Sequence, residues 1–118
     1  MWRKSLFSCV LLFVFMSSCQ INPIYPLTYQ VKTQVVSVGT SATKLPTTPL
    51  VGRIYIMIQN VGTATVYIGS STVTAGVTST GGIQLLPYEK WYAEYDNTVD
   101  VYGIVASSTC NVVVEEGK

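Results

Sequence analysis

The chain has no histidine among its 118 residues. That absence removes the commonest general base and the commonest metal-binding side chain together. Charge is scarce as well, with seven Lys/Arg and six Asp/Glu making 11% of the sequence. Ordinary soluble domains carry roughly 25%. A net charge of +1 provides no basic surface for nucleic acid. Few charges beside 48% hydrophobic residues exclude intrinsic disorder, which needs the opposite balance. Beyond the N-terminal apolar run, no stretch repeats apolar residues with the helical period. With no helix expected beyond the hydrophobic signal helix of that N-terminal run, no phosphate-binding loop can sit at a helix start.

What is present begins with Arg3 and Lys4, followed by the uncharged run 6–16 (LFSCVLLFVFM) and then Ser17, Ser18 and Cys19. A basic start, a short apolar run and small residues describe a secretory signal. The run is shorter than the roughly 20 residues of a membrane span. Met16-Ser17-Ser18-Cys19 resembles a bacterial lipobox. The resemblance implies cleavage before Cys19, its acylation and attachment to a lipid membrane. Gln20 is not the acidic residue that retains such proteins at an inner membrane, so the outer membrane or cell surface follows. Removing residues 1–18 of the 118 would leave 100, with five basic and six acidic side chains and a net charge of −1. Cys110 would then be the one unmodified cysteine, read as a small buried hydrophobe.

Residues 19–29 hold two prolines and little periodicity and read as a tether. From Gln30 to Lys118 the signals are those of one antiparallel β-sandwich domain. Val, Ile, Thr and Tyr runs alternate with Gly, Pro, Asn and Ser clusters. Seven strands are expected, at 30–38, 53–60, 65–69, 83–86, 90–95, 99–105 and 110–115. In the second, Ile54, Ile56 and Ile58 share one face, with Tyr55, Met57 and Gln59 on the other. The tight connection 61–64 predicts that this strand and 65–69 form a hairpin. Residues 39–50 and 70–82 read as loops. Pro49 and Gly52 shape the entry to the hairpin, and Gly62 tolerates positive φ in the connection. Gly69 ends a strand, and Gly103 marks a bulge or a close backbone approach.

No catalytic group emerges. Lys32, Lys44, Lys90 and Lys118 fall in polar stretches, so a Ser–Lys pair has no support. Glu115 and Glu116 are adjacent in a strand and point to opposite faces, so they cannot share a site. Asp96 and Asp100 flank a turn that lacks the glycine and bidentate Glu of a calcium loop. The expectation is a non-enzymatic protein with neither cofactor nor metal.

The series Thr48-Pro49-Leu50-Val51-Gly52-Arg53, then 54–58, Gln59-Asn60-Val61-Gly62, Val66-Tyr67-Ile68-Gly69, Gly82, Pro87, Glu89 and Val101-Tyr102-Gly103-Ile104 resembles a small β-sandwich domain of tailed-phage and prophage virion proteins. That domain recurs in head-decoration, head-fibre, neck and tail accessory proteins. The resemblance spans residues 38–116 and implies a structural or adhesive role in the virion, with no catalytic residues. A lipoprotein-type signal is a departure from that pattern.

The aromatics are the most suggestive feature. Tyr55 and Tyr67 are expected on the outward faces of neighbouring strands, with Trp91 and Tyr92 in a later one. Tyr and Trp favour interfaces and stack on sugars, but they also pair across strands on solvated faces. Three readings stay open: plain cross-strand pairs, a subunit interface in a homo-oligomer or with other virion or surface proteins, and glycan contact.

Overall fold

In a computed structural model, residues 29–118 are described. The signal, Cys19 and most of the tether lie outside them. Eight strands follow in order: β1 (Val31–Val38), β2 (Thr43–Leu45), β3 (Tyr55–Asn60), β4 (Val66–Gly69), β5 (Ile83–Leu85), β6 (Lys90–Ala93), β7 (Val101–Ile104) and β8 (Cys110–Gly117). They form two four-stranded sheets, ordered β1-β8-β3-β6 and β2-β7-β4-β5, with every pairing between strands antiparallel. The described residues are all-β, as the sequence predicts for the domain; the expected signal helix lies outside them.

The first strand pairs with the last, the second with the seventh, the third with the sixth and the fourth with the fifth. This is the pairing of a long hairpin folded over on itself, the double-sheet jelly roll. It corrects the expected hairpin of β3 and β4. Those strands lie in different sheets, and only β4 and β5 are sequence neighbours paired with each other. The short connection 61–64 therefore carries the chain from one layer to the other.

Inward-facing residues of both sheets build one core, centred on Val36, Val38, Leu45, Ile56, Ile58, Val66, Ile68, Val112 and Val114. Fully burying each such side chain stabilises by about 1.5–3 kcal/mol gross. Ile56 and Ile58 are inside as predicted, but Ile54 is exposed. It precedes β3, and Arg53 takes the buried place instead. β2 was hidden in a Thr/Pro-rich stretch because three residues are too few to show alternation.

The glycines answer to close contacts. A Cβ on Gly103 would stand 2.8 Å from Leu45 Cδ1, and one on Gly69 2.9 Å from Val73 Cγ2. Gly62 does not have positive φ; a Cβ there would collide with Cys110 Sγ. Gly52 has φ +77°, in the turn that leads to Arg53. Within the 70–82 loop, Val73 is buried, so this polar segment still contributes one apolar anchor.

Candidate functional site

The outer face of the β1-β8-β3-β6 sheet is the most distinctive surface. Registers place Val31, Gly117 and Tyr55 in one row across the strands, Thr33, Glu115, Met57 and Tyr92 in the next, and Val35, Val113, Gln59 and Lys90 in a third. Val31, Val35 and Tyr92 are 61%, 62% and 56% exposed. The rings of Tyr55 and Tyr92 stack with centroids 5.8 Å apart and planes at 29°. The Tyr55 ring lies across Gly117, where any side chain would strike it. Its hydroxyl donates to Glu115 Oε1 at 3.0 Å. That bond, with lesser help from desolvation and the carboxylate charge, raises the Tyr55 pKa above the ordinary phenol value.

Tyr67 is elsewhere. It stands on β4 in the opposite sheet, opposite Gln84 on one side and Ile104 on the other. The expectation that Tyr55 and Tyr67 are neighbours is therefore corrected: the strands alternate between layers. Trp91 and Tyr92 are adjacent in β6 and so face opposite ways. Tyr92 points outward to Tyr55, while Trp91 packs against the core. The Trp91 ring meets Tyr95 edge-on at 6.0 Å. These two rings, with Ile68, Ile83, Ser70 and Asp100, line a cleft of about 290 Å³.

Two buried polar clusters hold these surfaces in place. Arg53 and Glu116 are each 1% exposed and bond at 2.7 Å. Arg53 Nε also donates to the Tyr95 carbonyl at 3.0 Å, and its Nη2 to the carbonyls of Asp96 (2.6 Å) and Val99 (2.7 Å). The second Glu116 oxygen accepts from the Leu50 amide at 3.0 Å. One ion pair thus ties the 94–99 and 46–54 segments to β8. Asn60, wholly buried, donates to the carbonyls of Ala64 (2.7 Å) and Leu85 (2.9 Å), and its Oδ1 accepts from the Gly62 amide and Cys110 Sγ. Cys110 is a free, buried thiol.

Sequence reasoning passed over Arg53, Glu116 and Asn60 as functional supports. A lone Arg opening an isoleucine strand in a charge-poor chain was the available signal. Asp96 and Asp100 do not converge: Asp96 accepts from the Thr98 amide and hydroxyl, and Asp100 pairs with Lys44 at 3.0 Å. Among the described residues, no three His, Cys, Asp or Glu side chains group as metal ligands do. Fold and surface together define a jelly-roll β-sandwich that presents aromatic faces. Comparison of the chain with protein-family models, curated proteins and solved structures gives no match.

Proposed function

We propose that this protein is a non-enzymatic structural or accessory subunit of a phage or prophage virion that assembles through its sheet faces. The observation that carries the reading is the Tyr55–Tyr92 stack on the outer face of the β1-β8-β3-β6 sheet, whose far edge carries exposed Val31 and Val35. Aromatic anchors beside apolar residues are what interfaces enrich. The jelly roll also occurs in viral capsid domains, which supports the reading by analogy of fold alone. Mass spectrometry of purified particles tests it: peptides of this chain copurify with virions, and their absence overturns the reading.

A second reading has its own support. The Trp91–Tyr95 cleft is lined by both rings together with Ser70 and Asp100, residue types suited to a sugar ring. Jelly rolls include lectins too. With the lipobox-like Cys19, this suggests a surface lipoprotein that binds a glycan or a neighbouring protein. Intact mass of membrane-extracted protein decides it: a chain starting at Cys19 with added acyl mass is required.

A further inference from the structure

The four sheet edges are not alike. β2 has three residues, includes Lys44 and runs into Pro46. β5 has three and is soon followed by Pro87. β6 has four, starts with Lys90 and is flanked by Glu89 and Glu94. Short length, proline and charge are the devices that keep edges from pairing. β1 has none of them on its open side. It is eight residues long, and its outward side chains are Val31, Thr33, Val35 and Ser37. Its one charged residue, Lys32, donates to the Thr48 carbonyl at 3.0 Å.

The open edge also has a defined set of free backbone groups. Gln30 and Lys118 exchange both of their hydrogen bonds. In an antiparallel ladder the bonded pairs alternate, so Lys32, Gln34, Val36 and Val38 bond to β8. The amides and carbonyls of Val31, Thr33, Val35 and Ser37 then point away from it, with no partner among the described residues. In the middle of this edge, Gln34 Nε2 donates to Thr47 Oγ1 at 3.1 Å, while its Oε1 is buried and accepts nothing.

We propose that β1 pairs antiparallel with β1 of a second copy of this chain, about a two-fold axis through Gln34. Val31 then bonds with Ser37 of the second copy, and Thr33 with its Val35, so every free edge group finds a partner. The two Gln34 residues form the close, non-bonded pair on the axis. Their side chains lie opposite each other on the core-facing side. No like charges meet across the axis. The two outer faces join, so the apolar rows that contain Val31, Val35 and Tyr55 run on from one copy to the next. A second copy suits this edge better than an unrelated strand, because the same four residues serve both sides in one self-complementary register. The inference does not depend on a virion setting.

Native mass spectrometry and residue-resolved hydrogen exchange on the full chain in mild detergent test the pairing. Val35→Pro removes an amide that faces the open edge and leaves the bonds to β8 intact. The expected results are a dimer for the unsubstituted chain, slow exchange at the Val31, Thr33, Val35 and Ser37 amides, and a monomer with unchanged β-sheet signal for Val35→Pro. If Val35→Pro does not fold, Val35→Lys replaces it, because it puts a lysine opposite Thr33 of the second copy and two lysines diagonally across the axis on one face. A chain that stays monomeric, a Val35→Pro or folded Val35→Lys dimer as tight as the original, or a dimer whose four amides exchange freely overturns the inference. Copurification with virions by a monomer would overturn this pairing and leave the proposed function standing.

Discussion

Arg53 and Glu116 form a buried ion pair at 2.7 Å that joins two loops to the last strand. Removing one member of such a pair strands the other charge in the interior and costs about 3–5 kcal/mol. Arg53→Met should therefore lower stability by that amount in urea unfolding. Glu116→Gln keeps one acceptor oxygen for two donors, so its NH2 group meets either Arg53 or the Leu50 amide, and it should cost about as much. A double substitution, Arg53→Met with Glu116→Leu, should cost less than the sum of its single changes, because only the double change leaves no lone charge.

Asn60 is the second internal anchor. Asn60→Ala leaves the Ala64 and Leu85 carbonyls without their donor, at about 1–3 kcal/mol for each group left unpaired. Asn60→Asp should be worse near neutral pH, since a carboxylate would face two carbonyl oxygens. Thermal unfolding of the two variants gives the order.

Close contacts at glycine predict a rescue. Gly62→Ala drives a methyl group into Cys110 Sγ and should destabilise by about 1–3 kcal/mol, the usual range for overpacking. Adding Cys110→Ala should recover part of that loss. Urea midpoints of the single and double variants measure the coupling.

Asp96 gives a pH signature. Its hydrogen bonds from the Thr98 hydroxyl and amide, with a smaller contribution from Arg53, hold its pKa below the ordinary carboxylate value. A depressed folded pKa means stability that is present above the unfolded pKa and is lost as pH falls through the folded one. NMR titration should show Asp96 ionising at lower pH than a free Asp, and Thr98→Val should move it back up.

Much of the fold was legible because strand alternation survives even where charge is rare. Val36/Val38, Ile56/Ile58 and Val112/Val114 each mark an inward face, and all are buried. The pairing was not legible. A short Val-Gly-Thr-Ala link suits a hairpin turn as well as a crossing between layers, and nothing local reveals that β3 seeks β8 fifty residues on. Gly62 misled for the same reason: its constraint is Cys110, a residue far along the chain. At the site, Trp91 and Tyr92 were separable by alternation alone. The Tyr55–Tyr92 stack needed the β3–β6 register, and Arg53 needed Glu116 opposite it before its burial made sense.

The central claim is that the outer face of the β1-β8-β3-β6 sheet is a contact surface. The most direct measurement is the amount of this chain in purified virions when Tyr92→Ala is compared with the unsubstituted protein. Tyr92 is exposed and outside the core, so the variant should fold with nearly unchanged stability. The account predicts that the unsubstituted chain copurifies with particles and that Tyr92→Ala is depleted at least about tenfold, the effect of losing one aromatic anchor. Equal incorporation of a folded Tyr92→Ala chain, or absence of both from the particles, would contradict it.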